Sequence, residues 1–289
     1  MNPARSLDAA TGRPLDSVAA LLSCPECGSP LSVWDRALRC PQGHSFDIAR
    51  QGYVSLLTGA ATKMSGDTAE MLDARAAFQA AGHFAPIAAA VGAAIAAPAL
   101  PASILEVGSG TGYYLGAALD AAPAAAGIAL DVAKPAARRA ARCHPRAASI
   151  LADAWRRLPI RDGVLTHVLS VFAPRNPAEV ARILDRDGRF VVVTPTVRHL
   201  AELIEPLAMV SVDAGKEARL TESLSGHFEP VASSGVEYSM DLTHTDIERV
   251  VAMGPSAFHA PADRPARIAA LPERVAVTAS VTVSIYRPR

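Results

Sequence analysis

Leu105-Glu106-Val107-Gly108-Ser109-Gly110-Thr111-Gly112-Tyr113-Tyr114 is the most telling stretch of the chain. An apolar strand ends in an acid, and glycine then takes every second position. Glycine lets the backbone pass close under a ligand and turn sharply into a following helix. A dinucleotide fingerprint, G-x-G-x-x-G, would carry its third glycine one place later, where Tyr113 stands. A Walker loop would place lysine after its last glycine, and there is none. Outward from this stretch, strand candidates recur at Ser103 to Val107, Gly127 to Asp131, Ser149 to Asp153, Leu165 to Phe172 and Arg189 to Thr194, with helical segments between most of them. That alternation predicts an α/β fold whose parallel sheet is covered on both faces. Gly235 to Leu242 and Val275 to Tyr286 alternate more strictly, as antiparallel closing strands do.

A second constellation lies near the N-terminus. Cys24 and Cys27 are followed, twelve residues on, by Cys40 and then His44. Tetrahedral zinc takes four nitrogen or sulfur ligands, and two close-spaced pairs supply them without distorting the chain between. Pro25, Pro41, Gly28 and Gly43 suit the two tight turns. Protein fills all four positions, so no place is left for an activated water and the metal is expected to be structural. The fourth cysteine, Cys143, sits far away.

The chain has 289 residues, half of them hydrophobic, enough for one large core and a small appendage. Thiols arranged for metal point to a reducing compartment, here the cytoplasm. No apolar run is long enough to span a membrane. Residues 1–21 carry Asp8 and Asp16 without an apolar core, so they are read as a flexible leader and not a signal peptide. A zinc-binding recognition module is expected over residues 22–57, its end segment Phe46 to Leu57 packing beneath the metal. A flexible linker over 58–66 and the catalytic domain over 67–289 follow. Asp67 and Glu70 predict a capped helix start, Met71, Ala74 and Phe78 one helix face, and a second Ala-rich helix runs to about Ala97. Net charge is zero, so any nucleic-acid surface must come from local clusters: Arg36, Arg39 and Arg50, or Arg138, Arg139, Arg142 and Arg146. Solvated faces explain such clusters equally well.

The E-x-G-x-G-x-G spacing resembles motif I of class I S-adenosylmethionine (SAM)-dependent methyltransferases. The resemblance implies a Rossmann-like, seven-stranded, mostly parallel sheet with SAM as cofactor. Glu106, Gly108, Gly110, Thr111 and Gly112 would form the loop under its methionyl part. Asp131, nineteen residues after Gly112, would accept from the ribose hydroxyls, and Asp153 would lie beside the adenine. Combined with the zinc pattern, the chain is similar to the 23S rRNA guanine-N1 methyltransferases of the RlmA type. The phrases that carry this are Gly52 to Leu57, Gly66 to Met71, Ala74-Arg75, Gly82 to Pro86, Phe172-Ala173-Pro174 and Thr194 to Leu200, an ordered set running from about residue 22 to 260. This likeness implies zinc at the four named ligands and further SAM contacts at Phe84, where the family usually has tyrosine, and at His199. Actinomycete members methylate a guanine in a 23S rRNA hairpin lining the peptide tunnel and protect macrolide producers. Two departures stand out: a linker with one charge at Ala60 to Ser65, and Met253 to Phe258 in place of a Met-Thr-Pro-Phe-Ala-Trp phrase.

The expected chemistry is in-line methyl transfer, the enzyme chiefly positioning two reactants. The target guanine must be unstacked, because a helix hides its Watson–Crick edge. Phe172 and Pro174, after the fourth strand, are the candidates to clasp it. N1 must lose a proton, which calls for a base the sequence does not name. His199 is one option, with a cofactor or packing role as the other. His83 and His167 read as ordinary core or turn histidines, and Tyr113 and Tyr114 as cofactor wall or helix packing. A homodimer is a further expectation, since one neutral chain offers little basic surface. Two rival readings remain: a methyltransferase for a small-molecule acceptor, testable without RNA, and a non-catalytic RNA-binding or resistance protein, testable by SAM binding.

Overall fold

The computed structural model describes residues 13–59, 62, 64, 66–96, 103–211, 213, 215–254, 257 and 261–289. It opens with α1 (Pro14–Val18) and a 3-10 turn at Ala19–Leu21. Strands β1 (Ser32–Trp34), β2 (Ala37–Arg39) and β3 (Ser45–Asp47) form a small antiparallel sheet. After β4 (Tyr53–Ser55) come α2 (Ala69–Ala80) and α3 (Ala85–Ile95). The alternating section is β5 (Ser103–Val107), α4 (Tyr113–Ala121), β6 (Ala126–Asp131), α5 (Lys134–Ala140), β7 (Ala147–Leu151), β8 (Leu165–Val171), α6 (Pro177–Ile183) and β9 (Leu184–Pro195). The chain closes with α7 (Ala201–Ile204), α8 (Lys216–Ser225), β10 (Phe228–Thr243), α9 (His244–Ala252), α10 (Arg264–Ala269) and β11 (Arg274–Pro288).

The large sheet has the order β10-β11-β9-β8-β5-β6-β7-β4. Its strands from β4 to β9 pair in parallel, and β11 runs antiparallel to both β9 and β10. β5, β7 and β8 are buried nearly throughout, as parallel strands covered on both faces must be. The strand order reverses between β5 and β8, so the loops that follow them share the crevice where open α/β sheets bind ligands. β5 shows how the two faces divide. Ile104 packs with Phe78, Phe84, Ile87 and Leu115 on one side, while Leu105 and Val107 join Leu15, Val18, Leu22 and Leu38 on the other.

Five expectations are corrected here. The sheet has eight strands, because β4 leaves the N-terminal module and extends the seven strands β5–β11 along the edge of β7; Val54 is fully buried there and the free edge of β7 is paired. The segment expected to lie beneath the metal is therefore split between β3 and this edge. Residues 14–21 are no loose leader: Leu15 and Val18 sit in the same apolar cluster as Cys24, Cys40, Ile128 and Ile150, so module and domain share one core. Residues 1–12 lie outside the described residues.

The described part of the linker is docked. Thr62 Oγ1 donates to Asp153 Oδ2 at 2.7 Å, Arg156 Nη1 donates to the Thr58 carbonyl at 3.3 Å, and Gly66 lies against Ala133. Ala60, Ala61, Lys63 and Ser65, like Pro255, Ser256 and Phe258, lie outside the described residues. Finally, α2 is capped by Thr68, whose Oγ1 accepts from the Met71 amide, which leaves Asp67 free to pair with Arg75 at 2.5 Å.

Candidate active site

The glycine loop rises from β5 into α4. Gly110 (φ 53°) and Gly112 (φ 77°) hold left-handed backbone that side chains resist, and a Cβ on Gly112 would strike Cys143 Sγ at 2.6 Å. Glu106 lies beneath the loop, 1% exposed, with Oε2 accepting from the Leu115 amide at 3.0 Å. Burial pushes its carboxyl up to about 8. It therefore braces the start of α4 from below and presents nothing to the loop's upper surface. Asp131, at the end of β6, accepts from the Gly110 amide through Oδ2 and from the Ala133 amide through Oδ1, both at 2.8 Å. Burial raises its pKa, opposed by those two bonds. Thr111 Oγ1 donates to Gln79 Oε1 of α2 at 2.7 Å, and Asp153 is held by Thr62 and by the Trp155 amide.

The loop after β8 faces the glycine loop. A Cβ on Gly108 would stand 2.7 Å from Ala173 Cβ, so the two loops touch. Phe172 has φ 54°, an uncommon conformation for a bulky residue, and is 40% exposed. Its ring stacks on His199 at 5.7 Å between centroids and 26° between planes. Phe84 and Tyr114 close the box at 6.2 and 6.3 Å from the Phe172 centroid. Pro174 is exposed beside it. His199 Nδ1 accepts from the Ser280 amide at 3.2 Å, so Nε2 carries the ring proton. Burial lowers its pKa to about 4, which keeps the imidazole neutral.

The metal ligands converge as their spacing predicts. Sγ of Cys24, Cys27 and Cys40 and one ring nitrogen of His44 lie within 4.8 Å of one another. Cys24 Sγ and Cys40 Sγ are 3.6 and 3.4 Å from His44 Nδ1, and Cys27 Sγ is 3.7 Å from Cys40 Sγ. Zinc with sulfur at about 2.3 Å and nitrogen at about 2.0 Å demands tetrahedral edges of roughly 3.5–3.8 Å. The donor set and its geometry both fit zinc.

Comparison with known proteins agrees with this geometry. The zinc-ribbon family model described as RlmA, N-terminal, matches residues 22–65. A Micromonospora griseorubida protein assigned as a 23S rRNA (guanine-N1-)-methyltransferase is 50% identical over 92% of this chain and 97% of its own length. The chain belongs to that methyltransferase family. The 23S rRNA (guanine(748)-N1)-methyltransferase of Streptomyces fradiae is 47% identical, covering 94% of this chain and 98% of that protein. Among solved structures, a chain from the complex between the Haloferax volcanii Trm112 methyltransferase activator and an assigned methyltransferase superposes with TM-score 0.50 at 16% identity, covering 78% and 99% of the two chains. That likeness shows the fold alone.

The residues of this methyltransferase fit SAM. Ser109 Oγ and Tyr114 Oη are buried beside the loop without a hydrogen-bond partner among the described residues, a cost that a polar ligand can relieve. Each Asp131 oxygen keeps a lone pair for a hydroxyl donor. The structure brings Phe84, Gly110, Thr111, Asp131, Phe172 and His199 into this one region, with Asp153 at the adjoining strand end.

Sequence reading missed Gln79, Thr62 and Arg75 as parts of this region. Each reaches the site from a distant segment, and nothing in local spacing marks it; Arg75 stood only inside a family phrase. Of the arginine clusters, Arg146 serves the fold, its guanidinium donating to the carbonyls of Leu119, Ala122 and Ala125 at the end of α4. Arg139 pairs with Asp73, while Arg138 and Arg142 are exposed. His167 is a core histidine on β8, held neutral by burial at about 4. Among the described residues no single helix is long and apolar enough to cross a membrane.

Proposed function

We propose that the protein methylates N1 of a guanine in a 23S rRNA hairpin lining the peptide tunnel, in the cytoplasm, and thereby protects its host against macrolides. The observation that carries the proposal is the exposed Phe172 ring, held in left-handed backbone against the glycine loop. A planar base needs an aromatic face beside the cofactor, and base–aromatic stacking contributes about 1–3 kcal/mol. The backbone strain at Phe172, roughly 1–3 kcal/mol, makes sense if presenting that face is its use.

When bound, SAM supplies the methyl group as an electrophilic carbon on its sulfonium. The chain's part is positioning and exclusion of water. Phe172 and His199 offer stacked faces to the base, and Phe84 and Tyr114 wall the box from behind. His199 acts as a hydrogen-bond donor through Nε2–H. It is not the base for N1, because the ring nitrogen facing away from Ser280 already holds the proton.

The zinc module supplies a second RNA contact. Trp34, at the tip of the β1–β2 hairpin, is 64% exposed, and the Arg39 guanidinium lies 5.8 Å from its ring centroid. An exposed aromatic backed by a cation suits an unpaired base from the same hairpin. Primer extension on 23S rRNA treated with protein and SAM tests the whole reading. The expected result is a new stop one nucleotide before a tunnel-lining guanine. No stop, with SAM binding intact, would sink it and favour a small-molecule acceptor.

A further inference from the structure

We propose that Arg75 is the clamp for the carboxylate of the cofactor's methionyl tail. Arg75 projects from α2 toward the glycine loop, and a Cβ on Gly110 would stand 2.8 Å from its Nη1. The guanidinium thus packs directly on the bare backbone at the middle of the loop. Two partners fix its orientation. Nη1 donates to Asp67 Oδ2 at 2.5 Å, and Nη2 donates to the Met253 carbonyl at 2.7 Å, 178 residues away in sequence. A guanidinium has five N–H donors in a rigid fork, so donors remain after these two bonds.

The charge pattern calls for a cation at this place. Asp67 and Asp131 lie around the loop, and such a pair of acids repels a carboxylate. SAM brings one carboxylate beside a sulfonium and an ammonium. The field of Arg75 reaches Glu106, Tyr114 and Asp131 and favours negative charge at each of them. Arg75 can therefore receive the tail's anion while the acids receive its cationic and hydroxyl groups. The competing view is that Arg75 only ties α2 to the segment after α9. That view predicts equal loss of every ligand when Arg75 is replaced.

The inference rests on the loop's role in SAM binding and not on the identity of the methyl acceptor, so failure of the RNA assay leaves it standing. The test is calorimetric titration of the full chain with S-adenosylhomocysteine and with its decarboxylated analogue. Wild type should prefer the carboxylate-bearing ligand by about 10–100-fold, the range of a charge-assisted hydrogen-bond pair. Arg75→Met should erase that preference, weakening S-adenosylhomocysteine by the same factor while the decarboxylated analogue binds as before. Arg75→Lys, which keeps the charge without the fork, should give an intermediate preference and guards against a folding defect in the first variant. Parallel loss of both ligands in Arg75→Lys, or an undiminished preference in either variant, would overturn the assignment.

Discussion

The zinc site and the cofactor site lie in one molecule but are built on opposite plans. The four metal ligands fall within residues 24–44, on one turn before β1 and one between β2 and β3, and need only local geometry to converge. The cofactor and target site draws on α2, the start of α3, the loops after β5, β6, β7, β8 and β9, and strand β11. Its geometry exists only when the large sheet is complete. The lesson is that a site's legibility tracks how locally it is specified, while its sensitivity to distant change tracks the reverse. The shared apolar cluster complicates the contrast, because it couples the two sites through Leu22, Leu38 and the β4 edge.

Removing zinc probes that coupling and should have the largest effect. Structural zinc contributes on the order of 10 kcal/mol to the folding of small modules. Cys24→Ser, or chelation of the wild-type protein, should lower the thermal transition strongly and weaken S-adenosylhomocysteine binding along with it. Calorimetry with and without chelator checks this. Unchanged cofactor affinity in the metal-free protein would show that module and domain hold their structures separately, despite the common core.

Asp131→Ala addresses the other side. It removes the acceptor for the Gly110 and Ala133 amides, so the loop beneath the proposed cofactor site loses its tether. The loss of a buried acceptor that pairs two amides costs several kcal/mol, so cofactor affinity should fall at least about 100-fold. Affinity for 23S rRNA, measured by filter binding, should stay nearly intact. Equal loss of both would erase the separation between cofactor and RNA surfaces.

What could be read in the sequence follows the same division. The glycine loop, Asp131 and Asp153 sit at the ends of three successive strands, so strand order alone brings them to one edge. The metal ligands needed only their spacing. Arg75 and Gln79 were invisible as site residues because a helix surface becomes a site wall only through tertiary packing, which no periodicity records. β4 was misplaced for a related reason: three residues, Tyr53, Val54 and Ser55, have too little pattern to say which sheet they join. The leader was misread because Leu15 and Val18 make one turn of apolar face, too short to stand out as amphipathic.

Phe172→Gly separates stability from function within the cofactor half. Glycine accepts the left-handed backbone without strain, so the thermal transition should hold or rise slightly. Loss of the ring should cut methylation by about 5–150-fold, matching the worth of one base–aromatic stack, with S-adenosylhomocysteine binding kept. Full activity in this variant would remove Phe172 from the target site. Trp34→Ala makes the parallel test in the zinc half. RNA affinity should weaken by about 5-fold, near the low end for one stack, with zinc content unchanged.

The smallest expected effect is one of shape. Burial holds His199 near 4, so its charge is constant from pH 5.5 to 7.5 and it contributes no limb to the rate profile there. His199→Asn should lower the level of methylation without changing that profile. An acid limb near pH 6–7 that disappears in His199→Asn would restore the histidine as the base for N1. Stability gives an independent reading of the same ionisation. Between pH 4 and 6.5 the unfolded chain takes up a proton at this position and the native protein does not, so the histidine makes stability rise with pH across that window and level off above it. His199→Asn should flatten part of the rise, and His167, also near 4, should account for a similar share. A slope left untouched by His199→Asn would mean that the imidazole titrates normally in the folded protein and that its Nδ1 is not held by the Ser280 amide.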